Sequence, residues 1–285
     1  MQEVAKVCLV VGNAHGGSTI TNLILGQHPD VFSAGSLRGF PDNGQLVAGN
    51  VCACGEPAVR CGFWSQVKDR LDQVQQIIDR EHELYRLILE HSSRKIVVDV
   101  DHGLTRLREL LGNSRIDLHV VYVHRSLAGL IHSQVRKARE RGELRRPIVD
   151  FVKLCIRVGR GWAFKKFVVP NFCESQSLPF YLVNYEKLCS APDLELYRIG
   201  EVLGVDYSEV GARISQDRLL AMPEHLIRGN RKLRQNKEIQ LRIDDSWKSS
   251  RQYVARFLAI MGATLGAISA RLSMAKTLRQ MTKEA

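Results

Sequence analysis

The chain has 285 residues, 45% of them apolar and 25% charged, an ordinary globular composition that fills one large α/β domain or one domain with a helical appendage. Its formal net charge of +11 implies an anionic partner: nucleic acid, a membrane surface or a phosphorylated small molecule. Seven cysteines, an odd number without a secretion signal, read as reduced thiols of a cytoplasmic protein and not as a disulfide framework.

The first apolar run, Val7–Val11, is shorter than a signal-peptide core of roughly 7–15 residues and reads as a buried strand. It leads into Gly12-Asn13-Ala14-His15-Gly16-Gly17-Ser18-Thr19, a glycine turn followed by a helix start. Glycines let backbone N–H groups converge on an anion, a helix N-terminus adds unsatisfied N–H groups and a positive dipole end, and Ser18 and Thr19 add hydroxyl donors. The same residues also suit a plain strand-to-helix turn with Ser18 as N-cap. No lysine precedes Ser18, so the spacing is not that of the nucleoside-triphosphatase loop.

Gly35 to Gly62 reads as a long glycine-rich loop, with helical sequence from Phe63 to His91 after it. Within the loop, Cys52, Cys54 and Cys61 offer three thiolates, but the Cys-x-Cys spacing shows neither a second pair nor a fourth ligand. The expectation is no metal, with the thiols packed against Phe63 and Trp64. Lys95–Val100, Leu118–Val123 and Phe180–Val183 are short, rich in β-branched residues and separated by helix-compatible sequence, as buried parallel strands are. A helix is expected after Arg125 through Ser133 toward Arg141, and another over Phe151–Val168 with Pro170 and Pro179 at its exit. The basic run Arg136–Arg146 reads as a solvated helix face, and nucleic acid is not expected as a partner. Phe257 to Ala270 is nearly all apolar, yet a span needs about 20 such residues and Arg256 and Arg271 bracket the run. It reads as a buried terminal helix, with no membrane span.

The stretch from the glycine turn through Ile20-Thr21-Asn22-Leu23-Ile24-Leu25-Gly26-Gln27-His28-Pro29-Asp30-Val31 to Gly35 resembles the sulfotransferase superfamily that uses 3′-phosphoadenosine-5′-phosphosulfate (PAPS), especially its bacterial and tyrosyl-protein branches. The resemblance continues in order. Val121-Tyr122-Val123-His124-Arg125-Ser126, with Ser133 eight positions after Arg125, is similar to the segment that holds the 3′-phosphate. Tyr185-Glu186-Lys187-Leu188 is similar to the Tyr-Glu-x-Leu motif, and His225–Arg231 with Trp247 to the nucleotide-gripping loop. Cys52-x-Cys54-Gly with Cys61-x-Phe63-Trp64 also looks like a feature of some bacterial members.

The resemblance implies a P-loop-type, three-layer α/β fold with a mainly parallel central sheet and helices on both faces. It implies one domain over residues 1–285, with an inserted loop at about 35–62 and a C-terminal helical segment at about 246–285. The implied donor is PAPS, gripped by Gly16, Gly17, Ser18, Thr19, Arg125, Ser133, Tyr185, Gly229, Asn230 and Arg231. The implied acceptor is a small molecule, carbohydrate or peptide, and the loop from Gly35 to Gly62 carries no pattern that selects one.

The chain departs from the family at the reacting centre. His15 holds the place of the usual loop lysine or arginine, and Ser36 that of the usual glutamate. Ser126 replaces an aspartate and Ala128 an arginine. Asp99, Asp101 and His102 stand at a strand end as substitutes for the missing carboxylate, and His102, by its ordinary pKa, is the expected proton acceptor. Two readings remain open: a sulfotransferase working through His15 and His102, or a nucleotide-binding homologue that transfers nothing.

Overall fold

In the computed structural model, which describes residues 4–40, 51–74, 77–228, 236–242, 244–249 and 252–284, the apolar runs form a parallel sheet. Its strands are β1 (Ala5–Gly12), β2 (Val31–Gly35), β3 (Ile96–Asp101), β4 (Ile116–His124) and β5 (Phe180–Asn184), in the order β2-β3-β1-β4-β5. Every pairing in this sheet is parallel, with Leu9 of β1 between Asp99 of β3 and Val120 of β4. The central strands are apolar on both faces because each face is covered. One face carries Leu9, Val11, Val97 and Val120 with Trp64 and Tyr85, and the other Cys8, Val10, Val98 and Val121 with Leu23, Leu196 and Tyr207.

The helices are α1 (Ser18–Leu25), α2 (Gly62–Leu71), α3 (Ile77–Ser92), α4 (Leu104–Leu111), α5 (Leu127–Glu140), α6 (Pro147–Ser175), α7 (Tyr185–Ser190), α8 (Pro192–Leu203), α9 (Ser208–Asp217), α10 (Ser246–Ser249) and α11 (Tyr253–Glu284). A small antiparallel pair, β6 (Leu219–Ala221) with β7 (Glu238–Gln240), lies apart from the main sheet. This is the α/β layering expected from the sequence.

One strand is added to those the sequence suggested, and two local expectations are corrected. Val31–Gly35 is a strand on the sheet edge, where Ser33 Oγ donates to the Asn22 carbonyl at 3.2 Å. Pro170 lies inside α6 and does not end it; Val169 and Cys173 on either side are fully buried, and their packing outweighs the one backbone hydrogen bond that proline removes. The terminal helix is not buried all round. It lays its small residues, Ala255, Ala259, Gly262, Gly266 and Ala270, against α6 and turns Phe257, Ile260, Leu265 and Leu272 outward. The approach is backbone to backbone: a Cβ on Gly159 would stand 1.8 Å from the Ala259 carbonyl oxygen, and one on Gly262 2.2 Å from that of Ile156. Over Tyr253–Ser273 this helix is long and apolar enough to cross a membrane by length and composition, while one side of it packs on protein.

Candidate active site

The carboxyl ends of the parallel strands converge, and the sequence-predicted residues lie there: Gly12 at the end of β1, Gly35 of β2, Asp101 of β3, His124 of β4 and Asn184 of β5. The chain leaves β1 toward β2 on one side and crosses from β3 to β4 on the other. That places a crevice at the end of β1, where open parallel sheets bind ligands.

The glycine turn fills the mouth of this crevice. Gly16 N–H donates to the Asn13 carbonyl at 2.8 Å, and α1 starts at Ser18 with its first-turn N–H groups directed into the turn. Gly17 has φ 106 and no room for a side chain, since a Cβ would meet the Tyr185 ring at 2.1 Å. His15, which is not glycine, is also held in the left-handed region at φ 62. α5 fixes the turn from outside: Gln134 Nε2 donates to the Ala14 carbonyl at 2.6 Å and Arg125 Nη1 to that of His15 at 3.2 Å.

Arg125 is 5% exposed. Its guanidinium lies 4.8 Å from the Tyr185 ring centroid, and Nη2 donates to Asp244 Oδ2 at 3.0 Å. Its Nε is buried without a partner among the described residues. Ser133 is buried one turn beyond Gly129, whose own Cβ would stand 3.0 Å from that Nε. Arg125, Tyr185, the turn and the Ser133 face of α5 are therefore brought together. Glu186 has a supporting role the motif did not reveal: it accepts the Ser126 N–H at 3.0 Å and caps α5. Gly229, Asn230 and Arg231 lie outside the described residues. Arg228, just before them, donates to the Arg38 carbonyl at 3.0 Å and faces a different cavity, on the β2–β3 side of the turn.

That cavity, of about 210 Å³, is lined by Ser18, Thr19, Ser36, Asp101, His102 and Arg228 among others. His102 stands at its rim with Nδ1 3.2 Å from the Gly12 carbonyl. A carbonyl only accepts, so Nδ1 carries the proton and Nε2 is left with its lone pair. Desolvation by the surrounding protein, then the charge of Lys165, hold the His102 pKa below its ordinary value.

Asp99, offered by the sequence as a substitute base, is fully buried and engaged. It accepts from Tyr85 Oη at 2.7 Å, from Leu37 N–H at 2.9 Å and from Arg106, which is itself buried and paired with Glu81. This is a structural network whose members satisfy one another. Asp101 accepts the Gly103 N–H at 2.5 Å and lies 3.8 Å from Arg38, so it serves the start of α4.

Lys165 of α6 is the residue the sequence reading missed. Its Nζ donates to the Gly12 carbonyl at 3.0 Å and to the carbonyl of His102, placing an ammonium group between the turn and the cavity. Burial lowers its pKa to about 8. His15 is shifted in the same direction, from a lower starting value. Burial, then Arg141 and Lys137, press its pKa below the ordinary imidazole value, so at neutral pH the unliganded protein carries its cation on Lys165 and not on His15. The influence of Arg141 and Lys137 also brings the basic run Arg136–Arg146 into electrostatic reach of the turn. Part of that run is paired, Lys137 with Glu140 inside it and Arg146 with Asp150 beyond it.

No family model matches the chain, and no curated protein matches it at a significant level. Solved structures do. The sulfotransferase domain of the Synechococcus PCC 7002 olefin synthase superposes with a TM-score of 0.55 at 16% identity, covering 94% of this chain and 96% of that one. The sulfotransferase domain from the curacin biosynthetic pathway superposes with a TM-score of 0.56 at 19% identity, covering 93% and 98%. The fold of this chain is that of sulfotransferase domains.

Proposed function

We propose that the protein binds PAPS across the end of β1 and transfers its sulfuryl group to a hydroxyl acceptor. The observation that supports this most strongly is the meeting of the glycine turn, the N-terminus of α1 and Arg125, whose buried Nε has no partner among the described residues. Backbone donors and a helix dipole suit the 5′ end of the donor, and a guanidinium fork suits a 3′-phosphate. Gly16, Gly17, Ser18 and Thr19 would hold the former, with Arg125, Ser133 and Tyr185 at the latter.

In the reaction the acceptor oxygen attacks sulfur, the bond between sulfur and the 5′-phosphate oxygen breaks, and 3′-phosphoadenosine-5′-phosphate (PAP) leaves. His102 Nε2 takes the acceptor proton. Lys165 supports the charge that develops on the departing phosphate oxygen, the task that His15, neutral in the unliganded protein, cannot fill alone. The cavity on the β2–β3 side, with Arg38 and Arg228 at its wall, takes the acceptor.

A second reading, nucleotide binding without transfer, has Ser36 in its favour, since it lines that cavity without a carboxylate. Incubation with sulfur-labelled PAPS and hydroxyl acceptors of several chemical classes separates the two. Label in an acceptor with release of PAP is expected; tight PAP binding with no labelled product across all classes supports the second reading.

A further inference from the structure

Three cysteines of one loop and a histidine from 164 residues away meet beside the candidate site. The Sγ atoms of Cys52, Cys54 and Cys61 and a ring nitrogen of His225 all lie within 4.8 Å of one another. Cys54 Sγ is 3.7 Å from Cys61 Sγ, and His225 Nδ1 is 3.4 Å from Cys61 Sγ and 3.9 Å from Cys52 Sγ. With Zn–S of about 2.3 Å and Zn–N of about 2.0 Å, a regular tetrahedron has S–S edges of about 3.8 Å and S–N edges of about 3.5 Å. The cluster has the size of a zinc site. The sequence showed three ligands and no fourth; the fold supplies it.

We propose that Cys52, Cys54, Cys61 and His225 bind one structural zinc ion in a closed S₃N site. The backbone is built to hold the four together. Gly55 N–H donates to the Cys52 carbonyl at 3.0 Å, which closes the turn carrying Cys54, and Cys61 caps the N-terminus of α2. His225 is fixed from both sides: its carbonyl accepts Trp64 Nε1–H at 2.6 Å, and its ring stacks on Phe63 with centroids 5.0 Å apart and 11° between planes. The Glu224 carboxylate lies 3.9 Å from the outer nitrogen, Nε2. Cys54 is exposed and gives the ion a way in.

Packing alone explains buried small thiols against Phe63 and Trp64. It does not explain why three sulfur atoms and an imidazole nitrogen point at one spot. Zinc binding takes the three thiols as thiolates, releases their protons to solvent and keeps the imidazole neutral.

The ion would join the 51–61 loop to the wall of the acceptor cavity. Ala53 N–H donates to the Leu226 carbonyl at 3.0 Å, Ile227 N–H donates to that of Ala34 at 3.1 Å, and Leu226 and Arg228 line the cavity. Zinc would thus fix Leu226 and Arg228 without touching a substrate.

The test is metal analysis of the full chain, purified under reducing conditions without chelator, with X-ray absorption at the zinc edge. About one zinc per chain in an S₃N shell is expected, and cobalt exchanged into the site should give the visible spectrum of a tetrahedral thiolate complex. Cys61→Ser and His225→Ala should each lose most of the metal, and Cys155→Ala, remote from the cluster, should keep it. If the ligand variants do not fold, the zinc content and cobalt spectrum of the unaltered protein decide. A chain that carries under about a tenth of an equivalent and takes up no added zinc at micromolar concentration overturns the proposal. So does a Cys54–Cys61 disulfide found by mass spectrometry in the same preparation. None of these readouts depends on PAPS.

Discussion

At the scale of single residues the account turns on which side chains carry charge, and there the sequence motif and the geometry part company. Arg125 was singled out through the family resemblance and not by its position alone, since an arginine at a strand end equally suits a surface edge. Its neighbour Asp244 was not, because no local pattern ties position 244 to position 125. Arg125→Ala should weaken PAP binding at least about tenfold in calorimetry, the loss of one charged hydrogen-bond donor costing about 1.5–3 kcal/mol. Asp244→Asn should act in the opposite sense. Ser246 and Arg125 hydrogen bonds outweigh burial and keep Asp244 ionised, so its carboxylate competes for the guanidinium that a phosphate would take. Removing that charge should tighten PAP binding by about three- to tenfold. Unchanged affinity in Asp244→Asn would mean that the phosphate does not use this fork.

The same scale carries the pH dependence. His102 acts as neutral imidazole, so kcat/KM should rise with pH through a value below its ordinary 6.5. Lys165 acts as a cation, so kcat/KM should fall as pH passes about 8. This profile reports the free enzyme, the state the structure describes. His102→Asn should flatten the rising limb, and Lys165→Arg, always charged, should remove the falling one. If the falling limb persists in Lys165→Arg, another group titrates there. The sequence could not place Lys165, since its position depends on where a 29-residue helix crosses the sheet. Asp99 misled for the related reason that a carboxylate at a strand end looks the same whether it faces a cavity or an arginine such as Arg106.

At the scale of elements, β1, β3 and β4 were readable because a strand covered on both faces is a continuous β-branched run, and β5, at the far edge, because Phe180–Val183 is apolar throughout. β2 was not, because an edge strand carrying Ser33 and Ala34 has no such run. The terminal helix was misjudged because composition does not tell which face of an apolar helix is packed. Its seam with α6 makes a paired prediction about stability. Gly159→Ala should destabilise the fold by about 1–3 kcal/mol, because the new methyl group collides with the Ala259 carbonyl. Gly161→Ala, on the same helix with open space around it, should stabilise by about 0.5–1 kcal/mol through helix propensity. Denaturant titration of both variants checks this, and equal effects would contradict the close approach of the two helices.

At the scale of the whole molecule, the charge of +11 becomes interpretable once the fold shows where part of it stands. Arg125, Lys165, Lys137 and Arg141 surround the turn after β1, so the excess charge reads as a field for a small polyanion. General basicity would serve any nucleotide, whereas a built 3′-phosphate site would not. The direct measurement is therefore calorimetric titration of the full chain with PAP and with ATP at one fixed ionic strength. The account predicts that PAP binds in preference to ATP, and that Arg125→Ala removes most of that preference. ATP binding as well as PAP or better, or no PAP binding at all, would contradict it.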